Sequence, residues 1–157
     1  MTRSMDSLLE EISRDHFPYP PASSEEITKF EQRVGWKLDP DLQAFYQRCN
    51  GAELIKRLPD CPYQILPLEE IVRARVAIFG KDEDRLGPAS MYAICDVQDG
   101  NYVLLDTSQQ ANGRYPLVDG YHEAWPDQNF CGPVASSFAE FLENVLRLRR
   151  NLYWLGE

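Results

Sequence analysis

Residues 91–108, MYAICDVQDGNYVLLDTS, contain two runs rich in aromatic and aliphatic residues on either side of Asp99-Gly100. Asp-Gly is a favoured pair for a two-residue type I′ turn, so these runs are expected to form a hairpin. In that register Val97 faces Tyr102, Asp96 faces Val103 and Cys95 faces Leu104. A strand wetted on one side alternates polar and apolar residues, whereas here both faces carry apolar side chains. The hairpin therefore has to be covered on both sides, and the rest of the chain must supply the cover.

More sheet is expected around it. Asn112-Gly113 is a second turn signal, and the following RYPLVDGYH, Arg114 to His122, can extend the antiparallel pairing. Between Pro59 and Glu70, PDCPYQILPLEE contains a short strand. Pro62 and Pro67 would interrupt a central ladder, which places this strand at an edge or beside a bulge. Residues 68–78, LEEIVRARVAI, read as a helix, and GKDEDRLGPAS after them reads as a solvated loop.

The cover comes from both ends of the chain. Met5, Leu8, Leu9 and Ile12 lie at helical spacing behind Ser4, a cap. FPYPPASS then forces an extended connector, and Ser23 with Glu26 forms a capping-box pattern for a helix over residues 24–34 that buries Ile27, Phe30 and Val34 and stops at Gly35. In LDPDLQAFYQRCNG, Asp39 caps, Pro40 fits the first turn, and Leu42, Phe45, Tyr46 and Cys49 form the apolar stripe, with Asn50-Gly51 as the exit. After EAWPDQNFCGP, Ser136 caps a last helix with Phe138, Phe141, Leu142, Val145 and Leu148 on one face. Helices, then strands, then a helix give an α+β fold: a mainly antiparallel β-sheet packed with helices from the amino-terminal third and a carboxy-terminal helix. A chain of 157 residues fits one domain. Residues 1–22 are its amino-terminal helix and connector, and residues 23–157 its body.

Charge narrows the partners. Sixteen Lys and Arg oppose 25 Asp and Glu, a net charge of −9, and residues 1–146 alone carry −11. Phosphate backbones are gripped by Lys and Arg, so nucleic acid is a poor match, while a basic protein suits the field. The chain has no stretch of 18 apolar residues and no signal-type core, so no membrane segment is expected and a cytoplasmic location is. Cys49, Cys61, Cys95 and Cys131 lack metal or redox spacing and are expected as free, mostly buried thiols.

Catalytic chemistry is sparse. The chain has two histidines, His16 and His122, far apart in sequence. HEAWP begins like a helical zinc motif but has no second His, and Pro126 breaks the turn that would carry it. No phosphate loop, nucleophile elbow or dinucleotide fingerprint occurs, so neither metal nor cofactor is expected. A hydrolase built on Cys131 with His122, or on the acidic loops, is the enzyme alternative. The acids Asp82, Glu83, Asp84 and Asp99 are better suited to meeting a basic surface. Beside them Tyr121, Glu123 and Trp125 form a mixed aromatic and acidic stretch of the kind found at interface hot spots. These seven residues are the expected partner contacts.

The pattern Ile27-x-x-Phe30-Glu31-x-x-x-Gly35-x-x-Leu38, with Phe45 seven residues on and Asn50-Gly51 after it, resembles the amino-terminal hallmark of the SUKH superfamily. That superfamily includes Syd proteins, the yeast cell-wall assembly regulator domain and many bacterial immunity proteins. The resemblance covers residues 24–146. It departs at Leu38-Asp39-Pro40, where the family usually has Leu-Pro, and at Leu42, where a Tyr is common. It implies an α+β protein-binding domain without enzymatic activity: most directly an immunity protein that neutralises a cognate toxin, often a nuclease, and alternatively an adaptor that binds a host protein.

Overall fold

The computed structural model describes residues 3–57, 60–127 and 131–155. Pro59, at the start of the PDCPYQILPLEE stretch, lies outside these residues, as do Gln128, Asn129 and Phe130 of the EAWPDQNFCGP stretch. Among the described residues, five α-helices and seven strands make a mixed α+β fold. The strands are β1 (Phe17–Pro18), β2 (Ala52–Leu54), β3 (Tyr63–Ile65), β4 (Met91–Asp96), β5 (Tyr102–Asp106), β6 (Leu117–Gly120) and β7 (Pro133–Ala135). They form one sheet in sequential order, each antiparallel to the next.

The helices begin where their caps dictate. In α1 (Met5–Asp15) the Ser4 hydroxyl accepts the Ser7 N–H, and α2 (Ser24–Val34) opens with a complete capping box between Ser23 and Glu26 and ends at left-handed Gly35. In α3 (Pro40–Arg48), Asp39 Oδ1 accepts the Leu42 N–H at 2.9 Å, and Leu42, Phe45 and Tyr46 are buried. Its exit departs from expectation, because Cys49 is extended and only Gly51, at φ +100°, takes a positive φ. A Cβ at Gly51 would stand 2.7 Å from the Ile65 carbonyl oxygen, so glycine lets the chain pass against β3. Asn50 instead accepts the Leu68 N–H at 2.8 Å.

Both faces of the central hairpin are covered. Met91 to Cys95 and Val103 to Asp106 are all buried. Helices α1, α3 and α5 (Phe138–Leu148) touch one another, while α4 (Ala74–Phe79) packs on β4 and β5. Phe45 meets Phe138 edge-on at 5.2 Å, and Tyr63 of β3 meets Phe141 at 6.0 Å. At the other end of the core Trp36 stands edge-on to Phe30, Tyr92 and Tyr115, at 5.2 to 5.5 Å. Offset and edge-to-face contacts of this kind add to the area that the rings bury.

Several expectations are corrected. The β4–β5 register is one residue off: Asp96 faces Tyr102 and Cys95 faces Val103, with a bulge between Ala93 and Cys95. The turn holds three residues, Gln98, Asp99 and Gly100, all at positive φ, because the Asp96 carboxylate accepts the Gln98 N–H at 2.8 Å and draws that residue into the turn. Strand β3 is not at an edge but between β2 and β4, where Ile65 pairs with Cys95 beside the β4 bulge. Its prolines sit just outside its three residues, where no ladder bond is lost. Residues 68–78 are not one helix: a 3-10 turn over Leu68–Glu70 is followed by Val72 and Arg73, which pair with β4, and only then by α4. Helix α5 is capped by Ser137, and Ser136 donates to Glu140 instead.

Asp39 does more than cap. Its Oδ2 accepts the Tyr115 N–H at 3.0 Å, and the Tyr115 hydroxyl donates to the Lys37 carbonyl at 2.8 Å, so the start of α3 is tied to the chain entering β6. The carboxyl is only 4% exposed; burial pushes its pKa up, while the two N–H donors pull it back down. Asp39→Ala strips a cap and strands two buried donors, and is expected to cost about 2–4 kcal/mol in urea unfolding. A midpoint equal to that of the unaltered chain would contradict this role.

Candidate functional site

The seven expected contact residues fall on two loops and on the turn between β4 and β5, which carries Asp99. The first follows α4. Left-handed Gly80 ends that helix and folds the next residues back along it, so Asp82 and Asp84 return to the arginines at its start. Asp82 Oδ1 lies 2.6 Å from Arg75 Nε and its Oδ2 2.8 Å from Arg73 Nη1. Arg75 Nη1 also donates to Asp84 at 2.8 Å and to the Gly87 carbonyl at 3.1 Å. The Arg75 side chain is buried, and its guanidinium, with Arg73 behind it, holds the Asp82 carboxyl below the usual carboxylate range. Glu83 pairs with Arg85 at 2.8 Å.

This loop is therefore no free run of acid. Asp82, Glu83 and Asp84 are matched by Arg73, Arg75, Lys81 and Arg85, so its local field is close to neutral. Asp84 stays on the surface with a side chain 98% exposed, and Glu83 is half-exposed. The pairing was invisible in sequence because it depends on the reversal at Gly80 that brings residues seven to nine apart together.

The second loop leaves β6. Tyr121 is exposed, and its hydroxyl donates to the Glu123 carboxylate. Asn101, buried behind the hairpin tip, accepts at its Oδ1 from the His122 backbone N–H at 2.9 Å and from His122 Nδ1 at 2.7 Å. Gly100 lies against the same imidazole. The exposed tip between β4 and β5, which carries Asp99, is thereby joined to the loop that carries Tyr121 and Glu123. Tyr121, Glu123, Ala124 and Asp127 line an open cleft of about 530 Å³. Asn101 and Asp127 belong to this surface and were not singled out in the sequence, where Asp-Gly-Asn carries only a turn signal.

Trp125 has another place. It is 3% exposed, its Nε1 donates to the Leu86 carbonyl at 3.1 Å, and its ring covers Gly87. The indole thus ties the acidic loop after β6 to the ion-paired loop after α4, and faces the interior rather than a partner. The two loops become neighbours through this one side chain.

Charge is distributed unevenly. From Leu86 to Leu146 the chain carries eight carboxylates and a single basic residue, Arg114, which is turned to Asp41 at 3.5 Å. Among the described residues neither Asp99 nor Glu123 forms an ion pair with Lys or Arg. This half of the molecule holds most of the acidic surplus, and the exposed part of the second loop lies within it.

The enzyme alternative finds little support in the geometry. Cys131 is buried, burial pushes its thiol pKa up, and no hydrogen bond joins it to His122, whose Nδ1 is engaged by Asn101. Burial likewise pushes the Cys49 thiol up to about 12. Among the described residues no group of three His, Cys, Asp or Glu side chains is placed to hold a metal ion. No described helix is long and apolar enough to cross a membrane.

A sequential antiparallel sheet and a helical layer from both chain ends define an α+β domain. The sequence model of the SMI1 / KNR4 family (SUKH-1) matches residues 21–144, most of the chain, and the chain belongs to that family. No curated protein sequence matches it significantly.

The tie between the loops can be tested. Gly87 has φ +120° and ψ 169°, a region nearly confined to glycine, and a Cβ there would stand 2.8 Å from Trp125 Nε1. Gly87→Ala is expected to lower stability by about 1–3 kcal/mol and to change the tryptophan near-ultraviolet dichroism. An unchanged melt and spectrum would show that Trp125 does not depend on this approach.

Proposed function

We propose that this chain is a non-enzymatic protein-binding domain, an immunity protein that neutralises a cognate bacterial toxin by direct binding. Membership of the SUKH-1 family supports a protein-binding role. The observation that carries the choice of partner is the acidic surface of the loop after β6 and the β4–β5 tip joined to it through Asn101 and His122, where Asp99 and Glu123 are exposed and neither is paired with Lys or Arg among the described residues. A nuclease that grips phosphate presents Lys and Arg, so opposite fields would steer the two proteins together and fix their orientation. Tyr121 supplies amphipathic contact area at small entropic cost, as interface tyrosines do. Glu83 and Asp84 extend the surface at its rim, where exposed charges add more to association rate than to affinity.

The decisive experiment is co-expression with toxin domains encoded beside the gene. Rescue of growth and a purified complex are the expected results. No rescue and no complex would overturn the proposal, and recovery of a housekeeping protein from lysate instead would favour the adaptor reading. Within a complex, Asp99→Lys with Glu123→Lys is expected to slow association about tenfold or more at low salt and to flatten its salt dependence, measured by surface plasmon resonance. Equal slowing by Asp82→Asn alone would shift the contact to the first loop.

A further inference from the structure

His16 follows α1 directly, and its backbone N–H closes that helix on the Ile12 carbonyl at 3.0 Å. Its side chain turns inward: the residue is 8% exposed, and Nδ1 accepts the Ile55 backbone N–H at 3.1 Å. A nitrogen that accepts an N–H carries no proton of its own, so the neutral ring must be protonated at Nε2, which is buried and has no hydrogen-bond partner.

The donor is itself unusual. Ile55, the first residue beyond β2, has φ +55°, a left-handed conformation that β-branched residues avoid. The hydrogen bond from its N–H to His16 Nδ1 is a local restraint that holds this turn. Two residues on, Arg57 Nη2 donates to the carbonyl of Arg149, itself left-handed beyond α5, at 3.1 Å. The imidazole therefore sits where the ends of α1, β2 and α5 meet.

We propose that His16 is a pH-operated latch: neutral, it holds the turn after β2 through the Ile55 amide; protonated, it releases that amide and loosens residues 55–57 with their tether to Arg149. A proton on Nδ1 would point an N–H at an N–H, so the bond and the charged ring exclude each other. The charged groups that act on the ring are Arg149 beyond α5 and Glu11 and Asp15 of α1, while the turn after β2 meets it through the Ile55 amide. Burial is the largest influence and Arg149 the next, both against the charged form, and the two α1 carboxylates only partly offset them. The folded state therefore protonates His16 below its ordinary value of 6.5. The sign follows: the closed turn keeps its full stability above that value and loses it as pH falls toward the folded-state pKa, where the loss levels off.

The test is an NMR titration of the whole chain. With two histidines, the imidazole ¹⁵N signals of His16 and surface His122 can be told apart. At pH 7.5 His16 is expected as the Nε2-protonated tautomer with an acceptor shift at Nδ1. Below pH 6.5 the exchange protection of the Ile55 amide is expected to fall about tenfold per pH unit, the slope of one linked proton, and then to level off. In His16→Gln, which cannot titrate, that protection is expected to be flat over the same range. A proton on Nδ1 at pH 7.5, or the same slope in His16→Gln, would overturn the latch. If the variant fails to fold, the tautomer in the unaltered chain still decides.

Discussion

The Asp39 carboxylate is the joint on which the fold turns. One oxygen starts α3 through the Leu42 amide, and the other takes the Tyr115 amide where the chain enters β6. A helix from the amino-terminal third is thereby fixed to a strand from the second half, across 76 residues of sequence. Trp36 packs on the Tyr115 ring and Lys37 takes its hydroxyl, so the whole 36–42 segment is sewn to one residue at the entrance to β6. Burying a carboxylate is costly unless it is hydrogen-bonded, and two backbone donors are what offset that cost here. The same segment carries the spacing shared with the SUKH superfamily. A family can keep such a spacing for the sake of the fold alone, since none of these side chains has to touch a partner.

What the sequence made legible was the local chemistry. Ser4, Ser23 with Glu26, and Asp39 all cap as their residue types require, because a cap depends on neighbours three residues away. The helical core faces were legible for the same reason. Strands β1, β2 and β7 were not, since two or three residues cannot display an alternation. The hairpin register failed by one because Asp96 recruits Gln98 into the turn, and a single extra residue moves every partner. Of the site, Asp99, Tyr121 and Glu123 could be read as a mixed acidic and aromatic surface. The engagement of Asp82 and Asp84 by Arg73 and Arg75 could not, nor could the inward turn of Trp125. Both depend on which loops the fold brings together.

The sheet also limits how a partner can be met. Its outer strands are only two and three residues long, and each contains a proline, Pro18 and Pro133, which has no N–H to donate. The Val134 carbonyl on the β7 side already accepts the Tyr153 hydroxyl at 3.0 Å. Extension of the sheet by a partner strand is poorly served at both edges. On the proposed function, the partner is met by side chains on the connections, where loops tolerate sequence change.

Such side chains recognise well only if their loops are held. The tip bearing Asp99 is fixed through Asn101 to His122, the Tyr121–Glu123 turn closes on itself through the Trp125 amide bound to the Tyr121 carbonyl at 2.8 Å, and Trp125 roots that turn on Leu86 and Gly87. Each restraint uses a buried group to fix an exposed one. Ordering has been met on folding, so less side-chain and loop entropy is lost on binding. The ion-paired loop after α4 completes the arrangement: Asp82 and Asp84 are spent on Arg73 and Arg75, and Trp125 roots the turn that bears the exposed Glu123 on the base they form.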